Sequence, residues 1–152
     1  MSMPSWCCRR RSSRLIAPLA TGADGVCVID RSIALAGEGL VDQPIRLTFA
    51  GGRIVQIEGG RAADSARQAI DTAGEGADVV AELGIGTNER ARITGSVITD
   101  EKVLGTAHVA FGDNASANYG GDNQAAIHVD GVMADATIEA DGVVVLTGGA
   151  LA

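Results

Sequence analysis

Residues 44–60, PIRLTFAGGRIVQIEGG, decide the fold class. Ile45, Leu47 and Phe49 alternate with Arg46 and Thr48, and successive side chains of a strand point to opposite faces. The segment therefore reads as a strand with one dry face and one wet face. Ala50-Gly51-Gly52 follows as a turn, and Ile54, Val55 and Ile57 supply the apolar side of a returning strand, completing a β-hairpin. The signature recurs at the end of the chain. In ATIEADGVVVLTGGALA (136–152), Ile138 precedes an Asp141-Gly142 turn, and Val143 to Leu146 run back. Upstream, GVCVIDRSIAL (25–35) alternates and is rich in β-branched residues. RAADSARQAIDTA (61–73) is the one helix the pattern supports. Its residues favour helix, Ala62, Ala66, Ala69 and Ile70 make a narrow apolar stripe, and Gly74 and Gly76 end it. Glycine-turn hairpins around one short helix predict an α+β fold, mainly antiparallel β.

Composition narrows the function classes. With 46% apolar residues but 3% aromatics, the core must be built from Val, Ile, Leu and Ala. Net charge is −7, and beyond residue 14 eight basic residues face nineteen acidic ones, a balance of −11. Nucleic acid is not an expected partner for such a body. No apolar run approaches the ~20 residues that span a bilayer, so no membrane role is expected. Cys7 and Cys8 are adjacent, a poor geometry for a disulfide, and Cys27 lies in a strand-like run. A reducing cytoplasm fits this cysteine usage.

Chemistry concentrates in DEKVLGTAHVAFGDNASANYGGDNQAAIHVDG, residues 100–131. It holds both histidines of the chain, His108 and His128, with Asp130 two residues after the second. If Ile127 to Asp130 is extended, His128 and Asp130 project from the same face. Imidazole plus carboxylate is a ligand set for zinc or non-haem iron; a hydrogen-bonded packing histidine is the alternative on spacing alone. Asp100 or Glu101 could orient an imidazole or carry a proton. Upstream, ADVVAELGIGTN (77–88) reads as a strand running through Glu82 into Gly84-x-Gly86. A phosphate loop is disfavoured there, because the third glycine and the following helix are missing. The Gly112–Gly121 loop, with Asp113, Asn114, Asn118 and the single Tyr119, is placed to edge a site.

The segments AELGIGTN (81–88), ITDEKVLGTAHVAFGDN (98–114), YGGDNQAAIHVDGVM (119–133) and ATIEADGVVV (136–145) resemble the C-terminal part of the aminopeptidase T/S family of metallopeptidases. The resemblance runs from about Ile16 to the end. It implies that Glu82, His108, His128 and Asp130 are metal ligands, for zinc, cobalt or manganese. It also implies a peptide substrate, with Glu101 and Tyr119 as catalytic candidates, although Tyr119 lies further from His108 than the family's tyrosine. A related branch, the dihydroxypyridine ring-cleaving dioxygenases, is similar in fold and uses two histidines and one acid for iron. His108, His128 and Asp130 match that set.

The resemblance also bears on the start of the chain. Family members carry Gly-Glu before Ala-Pro, the glutamate being a ligand, whereas Ser12-Ser13 stands here ahead of Ile16-Ala17-Pro18. Residues 1–15 are therefore expected to be a disordered basic tail. Residues 16–152 are expected to be the β-rich metal-site domain, the C-terminal part of a larger two-domain protein whose aminopeptidase activity is impaired by the loss. Exposed sheet edges would favour a homodimer, and a non-catalytic dimerising remnant is the third alternative.

Overall fold

A computed structural model describes residues 13–116 and 119–152. The chain runs β1 (Ser13–Ile16), β2 (Gly25–Ile29), β3 (Ile45–Ala50), β4 (Arg53–Glu58), α1 (Arg61–Ala73), β5 (Val80–Gly86) and α2 (Val97–Asp100). It continues as β6 (Ala107–Gly112), β7 (His128–Met133), β8 (Ile138–Ala140), β9 (Val143–Thr147) and β10 (Ala150–Leu151). These strands form three antiparallel sheets, ordered β1-β5-β6-β7, β2-β3-β4 and β10-β9-β8. The fold is α+β and dominated by antiparallel strands, as the hairpin patterns predict.

The 44–60 hairpin forms with Ile45, Leu47 and Phe49 buried. Its turn needs glycine: Gly51 and Gly52 have φ of 56° and 79°, and a Cβ on Gly52 would fall 1.8 Å from the Ala20 carbonyl oxygen. The returning strand departs from the simple pattern. The register slips between Thr48 and Phe49, so that Leu47 faces Ile57 while Phe49 faces Ile54. Val55 is the extra residue of this β-bulge and is turned out, 62% exposed. Counting it among the inward residues of β4 was an error that alternation alone could not reveal.

Helix α1 occupies the expected residues and buries Ala62, Ala63 and Ala66. The Gly74 backbone N–H closes its last turn on the Ile70 carbonyl at 2.9 Å. A second, four-residue helix, α2, forms in addition to the one that the sequence pattern supports. It is tied down by Asp100, whose carboxylate accepts the Thr94 and Gly95 N–H groups at 2.7 and 2.9 Å.

The core lies between the inner face of β2-β3-β4, the alanine face of α1, and Val80, Phe111 and Val129 from the four-stranded sheet. Each fully buried aliphatic or phenyl side chain contributes about 1.5–3 kcal/mol. Because the core covers one face of β5-β6-β7, polar side chains are left to the other. The basic tail expected over residues 1–15 falls mostly in residues 1–12, outside the described residues, while Ser13–Ile16 pair with β5. Among the described residues no helix is long and apolar enough to cross a membrane.

Candidate metal centre

The register of the central strands builds the site. Glu82 on β5 lies opposite Ala110 on β6, which lies opposite Asp130 on β7. One step along, Gly84 pairs with His108, and Gly112 with His128. Paired residues share a face, as do residues two apart on one strand. One face of the sheet thus carries Glu82, His108, His128 and Asp130, with Gly84, Ala110 and Gly112 as small residues between them.

The glycine at position 84 is what lets His108 lie across the neighbouring strand. A Cβ there would sit 2.1 Å from His108 Nε2 and 2.2 Å from Cε1. With that space open, His108 is fully buried and its Nε2 reaches Glu82 Oε1 at 2.9 Å. Glu82 is 3% exposed, a strand-interior carboxylate facing imidazoles. His128 Nε2 lies 3.6 Å from Glu82 Oε2 and 3.5 Å from Asp130 Oδ1.

These separations fit a shared cation. Two ligand atoms each ~2.1 Å from one ion and 90–110° apart lie roughly 3.0–3.4 Å from each other. One ligand atom from each of Glu82, His128 and Asp130 falls within a 4.8 Å span, and so does one from each of Glu101, His108 and Asp130. Further, His128 Nε2, Asp130 Oδ1 and His108 Nδ1 are buried without a hydrogen-bond partner. Buried polar atoms ordinarily find partners, and a cation satisfies the first two at once. The donor set, imidazole nitrogen with carboxylate oxygen, suits zinc or non-haem iron.

His128 is held for this task. Its Nδ1–H donates to the Asp113 carbonyl at 2.6 Å, which turns Nε2 towards the carboxylates. Tyr119 stacks on its other side, ring centroids 4.4 Å apart and planes 17° from parallel. Burial alone would lower the His128 pKa, but contact with Asp130, the Asp113 hydrogen bond and the charge of Glu82 outweigh it and lift the value to about 9. Burial, then the negative charges of Asp130, Glu82, Glu101 and Asp113, push the Tyr119 phenol above its usual value. It therefore stays protonated as a donor.

The loop carrying Tyr119 is fastened by asparagines. Asn114, 1% exposed, donates from Nδ2 to the Ala81 carbonyl next to Glu82 and accepts the Asn123 N–H at 2.9 Å. Asn123 Nδ2 donates to the Gly76 and Gly112 carbonyls at 2.9 and 2.7 Å. The sequence reading placed Asn114 in a site-edging loop without a partner for it and did not single out Asn123. The pair Asp100-Glu101 also separates into two jobs. Asp100 ties the 94–95 backbone, whereas Glu101 reaches the site. Gly84, read first within a weak phosphate-loop motif, instead seats a histidine.

An antiparallel α+β domain presenting imidazoles and carboxylates on one sheet face defines a candidate metal-dependent protein. The family model described as "NicX: 2,5-dihydroxypyridine 5,6-dioxygenase" matches residues 12–152, and the chain belongs to that family. Among solved structures, 2,5-dihydroxypyridine dioxygenase from Pseudomonas putida KT2440 superposes with a TM-score of 0.77 at 21% identity, over 91% of this chain and 42% of its own. AmpT from Thermus thermophilus superposes with a TM-score of 0.65 at 24% identity, over 79% of this chain and 32% of its own. The chain thus spans less than half the length of either, and at these identities the likeness shows a shared fold. No curated protein sequence matches it. The two branches named from the sequence accordingly change order: the dioxygenase branch carries the family match, and the aminopeptidase resemblance holds at the level of fold.

Two outcomes follow from the geometry. The raised His128 pKa stabilises the metal-free chain fully below pH 6.5, and that contribution is lost as pH rises through about 9. A ligating imidazole must shed this proton, so the apparent affinity for zinc should rise about tenfold per pH unit from pH 7 towards 9 and then level off. Calorimetric titration across that range checks it, and a flat profile would contradict it. Gly84→Ala should weaken zinc binding by roughly 10–100-fold by displacing the His108 ring. Unchanged binding in a folded variant would show that His108 takes no part.

Proposed function

We propose that the chain is the metal-centre part of a non-haem iron dioxygenase that opens a hydroxylated pyridine or similar aromatic ring, with His108, His128 and Asp130 holding the ion. The observation that carries this reading is that His108, His128 and Asp130 share one sheet face with Glu82, Asp130 lying within ligand reach of each histidine and His128 Nε2 and Asp130 Oδ1 being buried and unpartnered. Two histidines and one carboxylate with open positions are the ligand set of non-haem iron oxygenases. The family match favours the same chemistry.

An iron ion bound there supplies the open coordination positions and the redox chemistry with dioxygen. The remaining work belongs to the chain. Asp113 fixes the His128 tautomer through its carbonyl, and the stacked Tyr119 ring limits rotation of the imidazole. Glu82, buried and in contact with both histidines, accepts a proton from the substrate hydroxyl at Oε2, the oxygen not bonded to His108. The protonated Tyr119 phenol donates a hydrogen bond to a substrate oxygen. The cleft of about 580 Å³ between α1 and residues 126–129 touches His128 but none of Glu82, His108, Asp130 or Tyr119, so it is not assigned to the substrate.

A second reading is supported by the surplus of carboxylates. Asp130 is grouped with Glu82 and His128 on one side and with Glu101 and His108 on the other, and such further acids suit a hydrolase using zinc, cobalt or manganese on a peptide. Anaerobic loading with ferrous iron, followed by oxygen uptake and ultraviolet absorbance with 2,5-dihydroxypyridine, separates the two. The expected result is stoichiometric oxygen consumption with loss of ring absorbance, reduced at least ~100-fold by His128→Ala. Release of leucine from leucine amides by the zinc- or cobalt-loaded chain, with no oxygen uptake, would overturn the dioxygenase reading.

A further inference from the structure

The five donors of the site exceed what one ion needs, and the two overlapping groups invite a second ion at Glu101. A neighbouring side chain already occupies that role. Lys102 Nζ contacts the Glu101 carboxylate and lies 3.1 Å from Ser13 Oγ on β1. Strand pairing fixes this arrangement, because Ser13 lies opposite Gly86 on β5, the strand that also carries Glu82. Neither partner of the ion pair is a loose surface group: the side chains of Lys102 and Glu101 are 27% and 14% exposed. An ammonium has three donors and no lone pair. It can satisfy Glu101 and Ser13 but can never act as a ligand.

Resting on the metal-site reading above, we propose that the Lys102 ammonium is a built-in cation at the outer end of the carboxylate cluster, and that it restricts the centre to one metal ion. Held against Glu101, it engages the carboxylate that a second ion would need. Its positive charge also opposes a divalent ion placed within a few ångströms in a partly buried setting. The negative charge of Glu82, Glu101 and Asp130 is then shared between one fixed cation and one exchangeable one. Glu101, although within reach of His108 and Asp130, serves as the counter-ion of Lys102 and not as a ligand. A centre with one ion is what two histidines and one carboxylate require, so the lysine would help set the chemistry of the site as well as its charge.

The test counts metal ions per chain. Wild type, Lys102→Arg, Lys102→Gln and Lys102→Met are titrated with cobalt(II) and zinc(II) by calorimetry, and bound metal is measured by elemental analysis after desalting. Gln keeps a polar, hydrogen-bonding side chain without the charge, so it guards against a folding defect in Met. Circular dichroism and melting curves establish which variants are folded. The proposal expects one ion per chain in wild type and Arg, and a second, weaker ion in Gln and Met. A stoichiometry of one in folded Gln and Met, or of two in wild type, overturns it while leaving the metal centre intact. Absence of any bound ion in wild type overturns the metal-site reading itself.

Discussion

The site depends on the pairing register of β5, β6 and β7. Side chains alternate along these strands except at a register irregularity between Val80 and Glu82, which turns those two residues to opposite faces, so a one-residue slip in either pairing would send Glu82, or His128 with Asp130, to the core face. That face is already filled by Val80, Phe111 and Val129, packed against the β2-β3-β4 sheet and α1. The core therefore enforces the register, and the register assembles the site. Small residues at Gly84, Ala110 and Gly112 complete the arrangement by leaving the space between the functional side chains open.

Electrostatics then give the assembled face a purpose. Glu82 and His108 are almost wholly buried, and His128 and Asp130 are partly buried. Burying carboxylates is unfavourable unless they are paired. In the metal-free chain the pairing comes from a protonated His128, which explains the upward displacement of its pKa, and from the hydrogen bond between His108 and Glu82. Neither arrangement satisfies His128 Nε2, Asp130 Oδ1 and His108 Nδ1. A cation resolves the first two and displaces a proton, which links metal binding to pH.

Much of the fold was legible in local pattern. The hairpins at 44–60 and 136–152 announced themselves by alternation and glycine turns, and α1 by its alanine spacing. Val55 was misassigned because a bulge changes parity without changing composition. At the site, the partnership of His128 with Asp130 is local and followed from the two-residue period. The approach of Glu82 to His108 depends on a pairing between strands 26 residues apart, which periodicity cannot give; resemblance suggested it and coordinates supply it. Tyr119 stood too far along the chain to be placed on spacing, yet its loop folds back onto His128. Gly84 was noticed for the wrong reason, since its role appears only when the residue opposite it is known. Resemblance put the aminopeptidase branch first, whereas the family match falls on the dioxygenase branch and the likeness to AmpT is one of fold.

The account turns on whether this sheet face holds a metal through His108, His128 and Asp130. Diffraction from crystals grown anaerobically with ferrous iron, recorded on both sides of the iron absorption edge, addresses that directly. The expected result is one anomalous peak on the β5-β6-β7 face, ~2.0–2.2 Å from His128 Nε2, a His108 ring nitrogen and an Asp130 oxygen. A peak elsewhere, or none at full iron occupancy of the solution, would contradict the assignment of this face as a metal centre.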